Sequence, residues 1–260
     1  MEIIDSHCHI YPHKIASKAV EAIGKFYDID MHCNGTSEDL ILRLKKYGVS
    51  RAVVHSTATK PEQVVSINDF IIETVKTYPQ FIGYGTMHPD FLNIEEEILR
   101  IINAGLKGIK IHPDFQMRNI DDEKMYKIYD VVSDKIPILF HIGDVTKDYS
   151  NPLRLKKVLK DFPKLKTIAA HMGGYRVWEE SKDILKGENV WVDTSSSFKF
   201  IKDDFILELI NHYGEDRVLF ATDYPMWDFS DEYTRLMSLG LKNSTLEKIF
   251  SKNIKELLKI

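Results

Sequence analysis

The sequence predicts an α/β fold with eight alternating strand and helix units, a (β/α)8 barrel of the TIM type. Short β-branched runs alternate with longer stretches of helical period along all 260 residues. The connections before the strands are short, which indicates a parallel sheet covered by helices. A length of roughly 250 residues is typical of one closed barrel. No proline- or glycine-rich linker interrupts the chain, so we predict a single domain over residues 1–260.

Eight segments have the strand pattern of apolar and β-branched residues bounded by turn residues. In chain order they are Glu2–His9, Ser50–Ser56, Phe81–His88, Gly108–His112, Ile138–Ile142, Thr167–His171, Val190–Asp193 and Val218–Asp223. Pro79, Pro137 and Pro163 each stand shortly before a strand, where proline ends the preceding element. The eight strands together supply one complete barrel.

Helical periodicity fills the intervals between these strands. The predicted helices are Ser37–Tyr47, Glu62–Tyr78, Ile94–Ala104, Asp122–Ser133, Pro152–Asp161, Trp178–Lys186, Asp203–Tyr213 and Glu232–Leu239. Thr36 is placed to cap the first of them and Gly48 to end it. After the eighth unit, Ser244 and Glu247 have capping-box spacing ahead of a C-terminal amphipathic helix. This helix is expected to seal the outside or the bottom of the barrel.

An extra segment follows the first strand. It runs from Tyr11 to Gly35 and contains an amphipathic stretch, Lys14–Tyr27. In a barrel this excursion leaves from the catalytic face, so we predict that it forms a partial lid. Its predicted pocket walls are Phe26, Tyr27, Met31 and His32, with ordinary packing on the rim as the alternative.

The composition excludes several classes of function. Acidic and basic residues number 39 and 35, for a net charge of −4, so no field gathers nucleic acid or an anionic membrane. The first residues lack a signal pattern, and no apolar run is long enough to cross a bilayer. Only Cys8 and Cys33 occur, which fits a reducing compartment. We expect a cytoplasmic protein that acts on a small-molecule substrate, and the sequence leaves open whether it forms a homo-oligomer.

Metal-ligating residues gather at one end of the predicted strands. In a barrel, the carboxyl ends of all strands meet around one mouth. Six of the 10 histidines stand there with a lysine and an aspartate: His7, His9, His88, His112, His141, His171, Lys110 and Asp223. Histidine and carboxylate are the usual zinc ligands, and a catalytic zinc site takes three protein ligands plus an open position. His7, His9 and a third histidine with Asp223 would fill such a site.

Six motifs at the strand ends resemble those of the amidohydrolase superfamily. They are Asp5-Ser6-His7-Cys8-His9, Gly108-Ile109-Lys110-Ile111-His112-Pro113, Phe140-His141-Ile142-Gly143, Ala170-His171-Met172-Gly173-Gly174, Val192-Asp193-Thr194-Ser195 and Ala221-Thr222-Asp223-Tyr224-Pro225. Their form is most similar to the amidohydrolase-related branch (amidohydrolase 2), which includes aminocarboxymuconate-semialdehyde decarboxylase and related metal-dependent hydrolases. The resemblance covers nearly the whole chain and is specific for the superfamily rather than for a substrate.

The resemblance implies a role for each matching position. His7 and His9 match the metal-binding pair of the first strand, and His141 matches the fifth-strand ligand. Asp223 matches the eighth-strand carboxylate ligand. His171 matches the sixth-strand histidine, which contacts the reacting water or substrate in one-metal members and is a ligand in two-metal members.

Lys110 is the ambiguous position. Some two-metal relatives carry a carboxylated lysine at the end of the fourth strand, and Lys110 and His112 share one face of that strand. The Gly-Ile-Lys-Ile-His-Pro form resembles the branch that uses one metal. We therefore expect one divalent ion, zinc, and we treat Lys110 as the candidate ligand of a second ion.

The residue types suggest a mechanism independently of the family. A bound divalent cation lowers the pKa of water from about 15.7 to near 7 and polarises a carbonyl oxygen. Asp223 would accept the water proton, and His171 would pass a proton to or from the leaving group. Four residues that follow strands four and six are candidates to bind an oxygen-rich substrate group: His112, Gln116, Arg118 and Arg176. A surface position is an equal alternative for the two arginines.

Three functions are compatible with these residues. The leading hypothesis is a metal-dependent hydrolase of the amidohydrolase type that activates water for attack on a C–N or C–O bond. The alternative enzyme is a nonoxidative decarboxylase of a small unsaturated or aromatic acid. The third candidate is a noncatalytic metal- or ligand-binding barrel. Asp223 and His171 argue against the third, because a binding site has little use for a proton acceptor beside its ligands.

Overall fold

A computed structural model describes residues 1–260 and contains eight parallel strands that pair in chain order. They are β1 (Ile4–His9), β2 (Arg51–His55), β3 (Phe81–Thr86), β4 (Gly108–Ile111), β5 (Ile138–Phe140), β6 (Thr167–Ala169), β7 (Val190–Asp193) and β8 (Val218–Leu219). The Ser6 amide donates to the Phe220 carbonyl at 2.9 Å, and Cys8 pairs in parallel with Tyr224. These contacts join the last strand segment to the first, and the predicted (β/α)8 barrel is confirmed.

The helices follow the strands in the predicted alternation. They are α1 (His13–Tyr27), α2 (Ser37–Tyr47), α3 (Val64–Thr77), α4 (Ile94–Asn103), α5 (Pro113–Gln116), α6 (Glu123–Val132), α7 (Pro152–Asp161), α8 (Trp178–Ile184), α9 (Asp203–Tyr213), α10 (Phe229–Ser238), α11 (Asn243–Glu247) and α12 (Asn253–Leu258). Thr36 caps α2 by accepting from the Asp39 amide, and Gly48 ends it in the left-handed conformation, as predicted. No helix combines the length and the apolar character that a bilayer crossing requires.

The C-terminal helix lies at the bottom of the barrel. The barrel interior is filled by apolar side chains of the strands: Ile4, Val53, Ile82, Tyr84, Leu139, Ile168 and Leu219. Ile254, Leu257 and Leu258 of α12 belong to the same buried cluster. The predicted capping box is wrong, because α11 begins after Lys242 without a side-chain cap, and a π-helical turn over Lys248–Lys252 joins α11 to α12.

Several strands are shorter than predicted, so the functional residues stand in the loops just beyond them. β6 ends at Ala169 and β8 at Leu219, whereas the sequence pattern extends both strands to His171 and Asp223. His171 has a φ of 61° and Asp223 a φ of 64°, in the left-handed region that a strand excludes. The backbone turns at these residues and directs their side chains toward the mouth. Such outliers in side chains with a Cβ are typical of functional sites.

The excursion after β1 forms a helix at the mouth. α1 covers the whole of the predicted amphipathic stretch, and its last turn packs on α5, with the rings of Phe26 and Phe115 4.8 Å apart. α5 is a short helix that the sequence pattern did not reveal, because four residues are too few to show a helical period. α1 therefore has the position expected of a lid.

Candidate active site

The histidines of β1 and the aspartate after β8 converge on one point. Alternate strand residues share a face, so His7 and His9 point to the mouth while Cys8 packs into the core between strands and helices. The Nε2 atoms of His7 and His9 are 3.2 Å apart. Asp223 Oδ1 lies 3.4 Å from each of them. Three donors from opposite ends of the chain thus surround one small volume.

The spacing of these donors fits a divalent metal ion. Nitrogen and oxygen ligands about 2.0–2.2 Å from a tetrahedral ion are about 3.3 Å apart, close to the separations in this site. Asp193 Oδ2 accepts from His7 Nδ1 at 2.9 Å. Because that bond places the ring proton on Nδ1, it leaves the Nε2 lone pair facing His9 and Asp223. The carboxylate–histidine pair is the usual support of a metal ligand.

Asp193 is the centre of this supporting network. Its Oδ1 accepts from the His171 amide at 2.9 Å and from the Ser195 amide at 3.2 Å, while Oδ2 holds His7. Burial acts to raise the pKa of Asp193, but His7, His171 and Ser195 together lower it to about 2. The carboxylate is therefore ionised and fixed.

His141 and His171 form a second pair of facing nitrogens. His141 Nδ1 and His171 Nε2 are 2.9 Å apart. The other ring nitrogen of each lies beside a backbone carbonyl, that of Gly143 at 3.0 Å and that of Ser195 at 3.1 Å. A carbonyl only accepts, so each ring carries its proton on the carbonyl side. The two facing nitrogens then present lone pairs to each other, an arrangement that a shared proton or a cation would stabilise.

Lys110 lies between these groups at the end of β4. Its side chain is fully buried, and its Nζ is 3.1 Å from His7 Nε2. Burial lowers the pKa of Lys110 to about 8, partly opposed by Asp223 and Asp193. Residues 110 and 112 do share a face, because both line the same pocket. The structure thus brings the Lys110 amine to the same pocket as His7 and His112.

Asp223 is held by several partners. Its Oδ2 accepts from Ser196 Oγ at 2.5 Å and lies 4.0 Å from His171 Nδ1. Burial acts to raise the pKa of this carboxyl, but His7, His9 and His171 together lower it well below its usual value. Asp223 is therefore ionised, as a carboxylate ligand of a metal ion must be.

The pocket over these residues is narrow and walled by rings. Its free volume is about 20 Å³, enough for a water molecule but not for an organic substrate. Phe115, His112 and His141 stack nearly parallel, with ring centroids 3.7 and 4.0 Å apart. Tyr27, Met31 and Tyr175 also line it, which places two of the predicted lid residues at the pocket. Phe26 instead packs on Phe115, and His32 packs on Trp227.

A wider cleft reaches the same site from the other side of α1. Its volume is about 610 Å³, and its lining includes His9, Ile23, Phe26, Phe70 and Phe115. Since the narrow pocket is too small for a substrate, α1 must move, or the substrate must enter through this cleft.

A hydrogen bond from Tyr27 connects α1, the predicted lid, to the site. The Tyr27 hydroxyl is 2.9 Å from His112 Nε2. The substitution Tyr27→Phe removes this hydrogen bond, worth about 0.5–1.5 kcal/mol, so opening of α1 should become roughly 2- to 12-fold more frequent. Hydrogen–deuterium exchange of residues 13–27 should accelerate by that factor. Tyr47→Phe on α2 is the matched control, and unchanged exchange in α1 of the Tyr27 variant would contradict the lid assignment.

Three of the four predicted substrate-binding residues do not reach the pocket. Arg118 is paired with Asp90 at 2.7 Å, and Arg176 is exposed with its guanidinium 4.0 Å above the Phe200 ring. Gln116 donates to the carbonyls of Ala58 and Met87 at 2.9 and 2.8 Å, so its amide ties loops together. His112 alone of the four lines the pocket.

Two buried residues near the site were missed by the sequence analysis. His55 ends β2 and could have been found by the strand-end rule that found the other histidines. Asp114 is the second residue of α5. Its Oδ2 lies 2.5 Å from Ser150 Oγ and 3.8 Å from His141 Nε2. Burial raises the pKa of Asp114 to about 6. No sequence signal marks Asp114, because α5 itself was not predicted.

Comparison with known proteins supports this description of the fold. The chain resembles an uncharacterized TIM-barrel protein from Bordetella bronchiseptica, with a TM-score of 0.80, 18% identity and coverage of 100% and 99% of the two chains. It also resembles 5-carboxyvanillate decarboxylase from Sphingomonas paucimobilis, with a TM-score of 0.78, 15% identity and coverage of 100% and 99%. A third similar structure is dihydroxybenzoic acid decarboxylase from Polaromonas sp. JS666 with bound manganese and 2-nitroresorcinol, with a TM-score of 0.78, 17% identity and coverage of 99% and 97%. At these identities the likeness establishes the fold.

Family membership rests on the sequence itself. The profile of the family described as Amidohydrolase matches residues 4–260, which is nearly the whole chain. The match begins at β1, with the His7 and His9 pair, and includes the loop after β8 that carries Asp223. The resemblance inferred from the strand-end motifs is therefore confirmed, and the chain belongs to the amidohydrolase family.

Proposed function

We propose that the protein is a divalent-metal-dependent decarboxylase of a small aromatic or unsaturated acid. The observation that carries this proposal is a set of metal-spaced donors on the floor of a narrow pocket with ring walls. The rings of Tyr27, Tyr175 and the Phe115–His112 stack line this pocket, and they would contact a planar substrate once α1 has moved to admit it. Similar folds in proteins that decarboxylate aromatic acids support the same choice. Decarboxylation thus replaces hydrolysis, the leading hypothesis from sequence, as the favoured reaction.

His7, His9 and Asp223 would hold the ion, with His141 as the fifth-strand ligand that the family resemblance implies. When bound, a divalent ion supplies positive charge that holds substrate oxygens and stabilises negative charge developing on them. Zinc is the metal expected from the ligand types, but one similar structure contains manganese, so the proposal extends to divalent ions generally. Asp193 keeps the His7 ring in its ligand orientation.

Asp223 and His171 would transfer the one proton that the reaction requires. In the reaction R–COO⁻ + H⁺ → R–H + CO2, the C–C bond to the carboxylate breaks and its electron pair takes up a proton on carbon. Asp223, 3.4 Å from His7 and His9, would take a proton from the bound substrate or water and return it to that carbon. His171 Nδ1 lies 4.0 Å from Asp223 Oδ2, beyond direct hydrogen-bond reach, so His171 would exchange the proton with Asp223 through one water molecule. The closed lid would exclude bulk water from the carbanion-like centre.

Isotope labelling tests this proposal. The metal-loaded protein would be given a panel that contains 2,6-dihydroxybenzoate, 5-carboxyvanillate, related hydroxylated and enoic acids, lactones and amides. We expect stoichiometric CO2 from at least one acid, and in D2O one deuterium at the carbon that carried the carboxylate. The organic product formed in H2¹⁸O should contain no ¹⁸O from the solvent. Turnover of lactones or amides with ¹⁸O in the product, and no CO2 from any acid, would refute decarboxylation.

Hydrolysis of a C–N or C–O bond is the second candidate, and one observation favours it. Lys110 Nζ stands 3.1 Å from His7 Nε2, and the facing nitrogens of His141 and His171 offer a second donor set. A carboxylated Lys110 would complete a two-metal site that activates water. Metal analysis tests the two-metal form of the hydrolase, which expects about two ions per chain where the decarboxylase proposal expects about one, and the isotope labels separate decarboxylation from hydrolysis at either metal content.

A further inference from the structure

His55 is the one imidazole at the site that no hydrogen bond explains. It is the last residue of β2, and in the β1–β2 ladder it pairs directly with His9. Its side chain is completely buried. Neither ring nitrogen has a hydrogen-bond partner, although a neutral imidazole carries one donor and one acceptor. A buried polar group without a partner costs about 1–3 kcal/mol, so a structural role alone leaves this side chain unexplained.

The neighbours of His55 are the two histidines that would hold the metal. Its ring is 4.4 Å from that of His9, at an interplanar angle of 85°, and 4.9 Å from that of His7, at 62°. In both contacts the rings meet edge-on rather than face to face. One ring nitrogen of each histidine lies within 4.8 Å of the others.

That spacing is compatible with three ligands of one ion. In a five- or six-coordinate site, ligands on opposite sides of the ion are about 4.2 Å apart, so a shift of roughly half an ångström would bring all three nitrogens into range. Because the His55 ring is fully buried, its neutral form is favoured, and neutral imidazole is the form that binds a metal ion. Metal coordination would also satisfy one of the two unpartnered nitrogens of His55.

We propose that His55 is an additional protein ligand of the divalent ion held by His7 and His9. The ligands of the site would then be imidazoles from two neighbouring strands, β1 and β2, together with the Asp223 carboxylate from the loop after β8. An imidazole-rich set favours ions of the zinc, cobalt and copper type over magnesium or calcium. This inference rests on the proposed metal site, and its test is designed to fail separately from that site.

The experiment compares metal binding by the wild type with that by His55→Phe, which keeps a ring of similar shape and removes both nitrogens. Dissociation constants for Zn²⁺ would be measured by competition with a chromophoric chelator. Pulsed electron paramagnetic resonance of the Cu²⁺-loaded proteins would count the coordinated imidazoles. His55→Asn serves as a second variant in case the phenyl ring disturbs folding. His88→Phe is the matched control, because His88 is another buried histidine near a strand end that contacts none of these donors.

We expect the His55 variants to bind Zn²⁺ at least 10-fold more weakly and to show one imidazole fewer than the wild type, while the His88 variant matches the wild type. Equal dissociation constants and equal imidazole counts in the wild type and folded His55 variants would overturn the assignment of His55 and leave the metal site intact. Absence of tight metal binding in the wild type itself would instead refute the proposed function.

Discussion

The substitution Asp223→Asn is expected to lower kcat/KM by about 10³-fold or more without unfolding the protein. A positioned proton-transfer group is worth about 10²–10⁴ in rate, and asparagine cannot hold a proton on its side-chain oxygen. Asp223 also lies 3.4 Å from both His7 and His9 as a charged donor, so the neutral amide should weaken the ion's hold as well. Steady-state kinetics on the substrate found by the labelling assay measures the loss.

The Asp223 result needs a control for charge and for folding. Asp231→Asn removes a half-exposed carboxylate of α10 that lies outside the donor set, and it should keep activity within about twofold of the wild type. Circular dichroism of the metal-free Asp223 variant should match that of the wild type. A folded Asp223→Asn protein with activity within a few-fold of the wild type would show that this carboxylate does not handle the proton.

The double variant His7→Ala, His9→Ala is expected to lose the metal. Purified wild-type protein should carry about one divalent ion per chain, and the variant should carry less than about a tenth of that, because two of its three converging donors are gone. An ion that binds only the folded state adds about 2.7 kcal/mol of stability at 100 times its Kd. For a chain of this size that is roughly 5–10 °C in Tm. A chelator should remove the gain from the wild type and change nothing in the variant.

A double alanine variant at two other histidines controls for general histidine binding. His32 and His212 lie away from the donor set, so His32→Ala, His212→Ala should retain the full metal content and the chelator-sensitive Tm. Elemental analysis and thermal melts of the three proteins give both numbers. Full metal content in the His7, His9 variant would mean that the ion binds elsewhere.

The barrel could be predicted from sequence because its signals are local. Each strand has its own β-branched run and each helix its own period, and the (β/α)8 rule then brings all carboxyl strand ends to one mouth without further information. That rule is what connected His7 and His9 with Asp223, more than two hundred residues away. Thr36 and Gly48 likewise act within one turn of the helix that they delimit, and both were predicted correctly.

The details of the site depend on contacts that no local pattern encodes. The Gly143 carbonyl accepts from Nε2 of His141, and this bond leaves Nδ1 of the ring facing His171. The predicted strands extend too far because the apolar pattern continues past the last strand residue. The sequence does not show that a residue such as Asp223 has a positive φ, which ends the strand. Arg118 was a reasonable anchor by position, but its partner Asp90 comes from a different loop.

Anomalous diffraction from crystals of the metal-loaded protein, recorded at the absorption edge of the bound ion, tests the central claim most directly. We expect a peak about 2.0–2.2 Å from His7 Nε2, His9 Nε2 and an oxygen of Asp223. The donors already lie 3.2–3.4 Å from one another, so little rearrangement is needed. A fully occupied ion bound elsewhere, with His7, His9 and Asp223 joined only by hydrogen bonds, would contradict the account.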